Sequence, residues 1–264
     1  MTAVLSVENA TLRFDDRVIW QGLDFAIQPG EFIALIGANG SGKSMLLKSI
    51  IGQQELTSGS IEFLGKRSTS GSTEIGYIPQ HRSADAQLPL RVFDSVRLGL
   101  DGHRFGLPVS SKKTRALVMA ALEQVDALDL ADKPIVELSG GEMQRVRVAQ
   151  AIISKPKLIL ADEPLSALDL NHQQIVSGLI ADQAKKQGAA VLFVTHDLNP
   201  IADYVDRVLY LAQGRYEIGT TDEVMQSEVL SNLYGTEIDV VRNQGRIVVL
   251  GTHDHNHHDD EEWM

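Results

Sequence analysis

The sequence predicts an α/β fold in which helices cover both faces of a mainly parallel sheet. Phe32 to Ile36 is a compact apolar run that leads into a glycine-rich loop and then into the helical pattern Met45 to Ile51. After Pro156 strand and helix patterns alternate again. The later strand runs are Leu158 to Ala161 and Ala190 to Thr195, with a helix at about Gln173 to Lys186 between them. Strands that alternate with helices are typical of a parallel sheet with two covered faces.

The rest of the body adds strands before this region and helices within it. The first residues alternate as a strand, Asp15-Asp16 forms a turn, and Leu23, Phe25 and Ile27 share one face of the next strand. From Val92 to Ser154 the apolar period changes from two to 3.6, which predicts a helical insertion between two α/β halves. Its helices are predicted at Lys112 to Val125 and Glu142 to Ser154, and further strands at Ile61 to Leu64, Ile75 to Ile78 and Leu209 to Ala212.

The C-terminal part has a different pattern. Thr220 and Glu223 have the spacing of a capping box, which predicts a short helix there. Glu237 to Val241 and Ile247 to Leu250 flank a turn sequence and predict a hairpin. The final segment, His253 to Met264, contains four histidines and five acidic residues and is expected to be disordered.

Composition narrows the function classes. The 264-residue chain carries a formal net charge of −11 and has no visible basic cluster, so we expect no nucleic-acid partner. It has no cysteine, which excludes disulfides and thiolate chemistry and suits a reducing cytoplasm. The start lacks a signal-peptide pattern, and the apolar runs are far shorter than the about 20 residues that a membrane helix needs. We therefore expect a soluble chain that reaches a membrane only through a partner.

The glycine-rich loop matches the P-loop pattern in full. It reads Gly37-Ala38-Asn39-Gly40-Ser41-Gly42-Lys43-Ser44 and lies between a predicted strand and a predicted helix. Its glycines allow backbone N–H groups to close around phosphate oxygens at the positive end of the helix. Lys43 is expected to reach the β- and γ-phosphates of ATP, and the Ser44 hydroxyl to bind Mg²⁺. A glycine-rich turn that only packs a helix on a strand is the alternative interpretation.

A second motif, which is acidic, ends the strand at Leu158 to Ala161. Asp162 is expected to hold Mg²⁺ through water, and Glu163 to accept a proton from the water that attacks the γ-phosphate. Acidic residues often end strands simply because strand ends are solvated, so this motif gains its weight from the P-loop.

The segment Leu138-Ser139-Gly140-Gly141-Glu142-Met143-Gln144-Arg145 begins a predicted helix with a hydroxyl and two glycines. Donors at the positive end of a helix suit an anion. Through this Leu-Ser-Gly-Gly motif the sequence resembles the ABC ATPase family over about residues 4 to 225. Within the family, Ser139, Gly140 and Gly141 would face the γ-phosphate held by a second subunit. A simply capped helix with a flexible start is the alternative.

The resemblance assigns roles to further residues. Gln80 matches the Q-loop glutamine, which contacts Mg²⁺ and the attacking water and leads to the transporter contact. Asp169, in Ser166-Ala167-Leu168-Asp169, matches the D-loop residue that reaches across the dimer. His196 matches the switch histidine at the γ-phosphate; alone, it would be read as a solvated loop residue. Phe14 fits the aromatic residue that stacks on adenine, with a core role as the alternative.

The resemblance also implies the organisation of the chain. It implies a P-loop NTPase core with an antiparallel β subdomain, a helical insertion and a small C-terminal extension. The expected units are a nucleotide-binding core with the β subdomain (1–91), a helical signature subdomain (92–154), the second part of the core (155–220), a helix and hairpin extension (221–252) and the tail (253–264).

The same resemblance implies an ATPase that binds ATP and Mg²⁺ between two copies arranged head to tail. We expect it at the cytoplasmic face of the membrane, bound to a separate permease and linked indirectly to an extracytoplasmic metal-binding protein. The segment from Gln80 to Val92 resembles that of zinc and manganese importers, and the histidines and carboxylates of the tail suit such ions. The tail can equally be read as an acidic end that binds nothing.

Three other functions remain open from the sequence. The first is an importer ATPase for another cargo such as an iron-siderophore complex. The second is a mechanical ATPase that acts on ribosomes or DNA; such proteins carry paired cassettes, long coiled coils or basic surfaces, which this chain lacks. The third is a binding module without catalysis, against which Glu163 and His196 both speak.

Overall fold

A computed structural model describes residues 2–68, 71–80, 90–102, 111–166, 168–243 and 245–251. Its strands are β1 (Leu5–Phe14), β2 (Arg17–Ile27), β3 (Phe32–Gly37), β4 (Ser58–Phe63), β5 (Lys66–Arg67), β6 (Ile75–Ile78), β7 (Leu158–Asp162), β8 (Ala190–Val194), β9 (Arg207–Ala212), β10 (Arg215–Gly219), β11 (Ile238–Asn243) and β12 (Arg246–Gly251). Its α-helices are α1 (Lys43–Ile50), α2 (Val92–Asp101), α3 (Lys112–Gln124), α4 (Gly140–Ile152), α5 (Leu170–Gln187), α6 (Thr221–Val224) and α7 (Ser227–Tyr234).

The central sheet has the order β10-β9-β3-β8-β7-β6 within the described residues. The pairs from β9 to β6 are parallel, and β10 pairs antiparallel with β9 at the edge. Every residue of β3, β7 and β8 is buried, which is the pattern of strands covered on both faces. The predicted parallel α/β sheet is therefore confirmed.

Two apolar clusters cover the two faces of this sheet. Along β3, Ile33 and Leu35 join the cluster on the side of α1, whereas Ala34 and Ile36 join the cluster on the side of the other helices. Neighbouring side chains of a strand point to opposite faces, so one continuous apolar run serves both clusters.

A smaller antiparallel sheet of order β2-β1-β4-β5 packs on the α1 side, as the resemblance implied. Trp20 and Leu23 of β2 are fully buried against the central sheet. Arg207, at the start of β9, joins the two sheets: its Nε forms a 2.6 Å salt bridge with Glu31, and it also donates to the Ala26 carbonyl. This half-buried link fixes the small sheet relative to the strands that end at the glycine-rich loop.

The described residues between β6 and β7 include the helices α2, α3 and α4, where a helical insertion was predicted. Helix α3 begins after Ser111, whose hydroxyl accepts a hydrogen bond from the Thr114 N–H, and α4 follows a capping box at Ser139. Helix α5 begins at Leu170, earlier than the pattern predicts, because Asp169 caps it by accepting from the His172 N–H.

The C-terminal part packs on the helical side of the central sheet. The predicted capping box of Thr220 and Glu223 starts α6, and β11 and β12 form the predicted antiparallel pair. The buried Tyr210 ring of β9 meets Tyr234 of α7 edge to face, with 3.1 Å between the two hydroxyl oxygens. Burial raises the pKa of Tyr210, so its hydroxyl keeps its proton.

Some sequence interpretations fall outside the described residues. These are the metal-importer-like segment where it spans 81–89, the tail from 253 to 264, and Ala167 of the D-loop. Among the helices that are described, none has both the length and the apolar character required to cross a bilayer.

The turn before α1 requires glycine at Gly42. Its φ of +95° lies in the left-handed region, and an added Cβ would lie 2.4 Å from the Ile19 side chain and 2.7 Å from the Trp20 ring. Gly40 has a similar φ of +80°, but an added Cβ there would meet open space. A larger residue at Gly40 would therefore meet backbone strain alone, whereas at Gly42 it would meet strain and a steric clash.

We predict that Gly42→Ala lowers the free energy of unfolding by about 3 kcal/mol, because strain and a clash with buried side chains add. Gly40→Ala, the matched control, should cost about 1 kcal/mol from the backbone alone. Urea unfolding of both variants without nucleotide measures the difference. Equal losses would contradict the close packing of the loop on β2.

Candidate functional site

Lys43 lies at the start of α1 and points back into its own loop. The side chain is buried, and its Nζ donates to the carbonyl oxygens of Gly37 at 2.7 Å and Ala38 at 3.0 Å. Burial lowers the pKa of Lys43, and the nearby carboxylates of Glu163 and Asp162 act in the opposite direction. The Lys43 side chain is thus held inside the glycine-rich loop by two backbone carbonyls.

Two neighbouring strand ends bring the acidic and amide groups to the same edge of the sheet. Asp162 ends β7 and is only 5% exposed, and Glu163 follows it. Gln80 follows the neighbouring strand β6, and its Nε2 donates to Glu163 Oε2 at 2.8 Å. Parallel pairing of β6 with β7 places these two residues together although 83 positions separate them in sequence.

The backbone of Glu163 is in an uncommon conformation. Its φ is +48°, in the left-handed region, while its N–H donates to the Val194 carbonyl of β8. A side chain with Cβ costs of order 1 kcal/mol there, and such positions concentrate at functional sites. The turn directs the Glu163 side chain toward Gln80.

His196 follows β8 on the other side of β7. Thr195, before it, is buried, and its hydroxyl donates to the Asp197 carbonyl and accepts from the Asp197 N–H. This turn holds the exposed imidazole at the rim of the site.

These groups surround one cavity of about 890 Å³, a size suited to a nucleotide. Phe14 is 42% exposed at its wall, so this ring does not have the core role considered as the alternative. The lining residues are Phe14, Arg17, Ile19, Asn39, Gly40, Gly42, Lys43, Ser44, Met45, Gln80, Glu163 and His196. Three predicted site residues are not part of this lining. They are Gly37 and Ser41 in the glycine-rich loop and Asp162 at the end of β7.

Sequence reasoning did not include Arg17, Ile19 and Met45 in the site. Arg17 pairs with Phe14 across the Asp15-Asp16 turn, so the two side chains share a strand face. The turn predicted at Asp15-Asp16 could therefore have placed Arg17 beside Phe14. Met45 directly follows the predicted Mg²⁺ ligand Ser44, and nothing in the pattern marked it.

The residues of the Leu-Ser-Gly-Gly motif lie outside this cavity. The hydroxyl of Ser139 accepts from the Glu142 N–H, and the Glu142 carboxylate accepts from the Ser139 N–H at 2.8 Å. These bonds, the backbone one first, lower the pKa of Glu142 and keep it ionised. Ser139 is exposed. The described residues that line the cavity do not include Ser139, Gly140 or Gly141.

The D-loop residue is also exposed. Asp169 accepts from the His172 N–H at 2.9 Å and contacts His172 Nδ1 at 2.8 Å, and the backbone bond is the main reason that the pKa of Asp169 is lowered. Leu170, beside it, is 80% exposed.

The donor set at the strand ends fits Mg²⁺. The Ser44 hydroxyl, the Gln80 carboxamide and the Asp162 carboxylate are the hard oxygen donors that this ion prefers. Among the described residues, no group of three or more histidine, cysteine or acidic side chains could hold a metal alone.

Comparison with known proteins gives relatives over nearly the whole chain. The manganese transport system ATP-binding protein MntB of Bacillus subtilis is 34% identical over 241 residues, which is 91% of this chain and 96% of that protein. The zinc import ATP-binding protein ZnuC of Pseudomonas entomophila is 31% identical over 97% of this chain and 90% of its own. The hemin import ATP-binding protein HmuV of Vibrio vulnificus is 36% identical over 88% of this chain and 90% of its own.

The fold gives the same result. A solved metal-chelate type ABC transporter in an inward-facing conformation matches with a TM-score of 0.79 and 30% identity, over 96% of this chain and 99% of that chain. The family model described as ABC transporter matches residues 20–166, more than half of the sequence. The chain therefore belongs to the ABC transporter family and is one of its ATP-hydrolysing, ATP-binding subunits.

Proposed function

We propose that this chain drives the import of a divalent metal ion, zinc or manganese, as the ATPase of a membrane permease. The observation that carries the catalytic part is the convergence of Lys43, the Gln80–Glu163 pair and His196 on one cavity. The cargo is supported by the manganese and zinc transport relatives, which align over nearly the full chain.

In the proposed reaction, water attacks the γ-phosphorus of ATP and Glu163 accepts the proton that this water loses. The bond from the γ-phosphorus to the bridging oxygen breaks, and ADP leaves with its electron pair. Lys43 and His196 stabilise charge on the γ-phosphate oxygens, and Gln80 orients the water beside Glu163. Ser44, Gln80 and Asp162 would hold Mg²⁺, which would supply positive charge to the phosphate oxygens.

Two of the proposed catalytic side chains form hydrogen bonds within the chain itself. Glu163 accepts from Gln80, and Lys43 donates to the carbonyls of its own loop. Both side chains must exchange these partners when phosphate and water enter. Catalysis therefore requires ATP to reorganise the site as well as to fill it.

A second copy completes the site in this proposal. The exposed Ser139 helix start lies outside the cavity of its own chain, and it presents backbone donors suited to a phosphate. The exposed Asp169 and Leu170 offer a further surface to the same partner. In a head-to-tail dimer, each Ser139 helix would close the Lys43 cavity of the other copy.

The dimer would work at the cytoplasmic face of the membrane as a peripheral protein. A separate integral permease would receive the motion near Gln80 and the helical region, and an extracytoplasmic metal-binding protein would act through that permease. The net charge of −11 disfavours a nucleic-acid substrate.

We predict that Glu163→Gln still binds ATP but turns it over about 10²- to 10³-fold more slowly, because the amide cannot accept the proton. The variant should elute as a dimer in gel filtration with Mg²⁺ and ATP, since the closed state is no longer relieved by hydrolysis. Glu217→Gln, on exposed β10, is the matched control and should behave as the parent. A monomeric elution together with normal turnover would reject the assignment.

Phe14→Ala should raise the KM for ATP about tenfold and leave kcat nearly unchanged, because stacking of one base is worth about 1–3 kcal/mol. Phe14→Tyr keeps an aromatic face and should restore the KM. Binding can be followed by the fluorescence of Trp20, which packs beside Gly42, after Trp263→Phe removes the other tryptophan. An unchanged KM in the alanine variant would place adenine elsewhere.

The cargo is tested on the complete transporter, purified with its permease and reconstituted in lipid. We expect binding protein loaded with zinc or manganese to stimulate ATP turnover several-fold, and the Glu163→Gln complex to show no such increase. Stimulation only by a ferric siderophore or by haem would support the alternative cargo class.

A further inference from the structure

The C-terminal hairpin has one face packed on the body and one face in solvent. Ile238 is buried, and Val240 and Ile247 pack against the large apolar cluster. Directly opposed residues of an antiparallel pair point to the same face. The pairs Val241–Val248 and Asp239–Leu250 therefore share the outer face, where Val241 and Val248 are each 45% exposed and Leu250 is 50% exposed. We call these three apolar side chains the hairpin patch.

The hairpin is fixed to the loop that carries His196. The Asn199 side chain donates to the Ile247 carbonyl at 3.0 Å and accepts from the Ile247 N–H at 2.9 Å. Its Nδ2 also donates to Asp197 Oδ1 at 2.7 Å, one residue after His196. Val248 and His196 line the same surface cavity of about 350 Å³. The hairpin that carries the patch is therefore held beside the loop of His196.

The charges at the two ends of the outer face are opposite. Along this face the opposed pairs run Asp239–Leu250, Val241–Val248 and Asn243–Arg246, so the valine pair lies in the middle. A twofold axis through the valine pair would bring Asp239 of one copy against Arg246 of the other, twice. Within the described part of the chain, neither residue takes part in a salt bridge. The face is thus self-complementary, as a contact between identical copies requires.

We propose that the hairpin patch is a contact between two copies of this chain in their closed, nucleotide-bound dimer. This inference rests on the dimer of the proposed function. The patch is far smaller than the about 800 Å² per partner of a stable interface, so it would add to a dimer that ATP holds together. Through Asn199, contact between the hairpins would brace both His196 loops from behind.

The absence of cysteine from the sequence allows a direct test. In the Glu163→Gln background, Val241→Cys should form a disulfide-linked dimer under mild oxidation with Mg²⁺ and ATP. We expect at least about tenfold more product than without nucleotide, as for a contact made only in the bound state. Leu117→Cys on α3, which replaces a side chain of similar exposure, is the control and should remain monomeric.

Charge reversal tests the pairing itself. Asp239→Arg and Arg246→Asp should each weaken ATP-dependent cross-linking about fivefold, because each places like charges together. The double variant should return to within about twofold of the parent, since the pair is restored in reverse order.

The outcomes separate this inference from the proposed function. If gel filtration shows the ATP dimer but Val241→Cys does not cross-link, the hairpin contact is overturned and the proposed function stands. Cross-linking that is independent of ATP, or that appears only after residues 253–264 are deleted, also overturns it. Failure to form any ATP dimer rejects the dimer of the proposed function instead.

Discussion

The parallel register of the central sheet decides where the residues proposed for catalysis lie. Ala161 pairs with Ile78 on one side and with Phe193 on the other, so β6, β7 and β8 end at the same level. Gln80, Glu163 and His196 follow those ends within one or two residues. A shift of one residue in any of these pairings would turn buried side chains to the opposite face and move one of these three residues away from the cavity. The apolar runs that build the core thus also align the residues of the candidate site.

Burial and strain at this edge prepare the site for a polyanion. The Lys43 ammonium is desolvated, and the backbone of Glu163 is held in a left-handed turn. Each arrangement is unfavourable alone and is tolerated because the surrounding strands are rigid. Phosphate would give Lys43 stronger partners than the carbonyls of Gly37 and Ala38, which makes binding and reorganisation one event.

Much of this could be read from the sequence because the motifs are local. The loop from Gly37 to Ser44, the acids after β7 and the start of α4 each depend on a few consecutive residues, and the alternating patterns place them on strands and helices. The β9–β10 hairpin was not predicted: its strand Arg215–Gly219 alternates between polar and apolar residues but is only five residues long. Contacts between distant segments could not be predicted at all. The Gln80–Glu163 bond and the packing of Gly42 on Trp20 arise only when separate segments meet.

The tyrosine pair of β9 and α7 has a consequence for how the C-terminal region is attached. Burial raises the pKa of Tyr210, which makes loss of its hydroxyl proton less favourable. The hydroxyl group therefore stays intact for its contact with Tyr234. A tyrosine that keeps its proton needs no counter-ion, so the junction of β9 with α7 adds no anion to the apolar cluster around it.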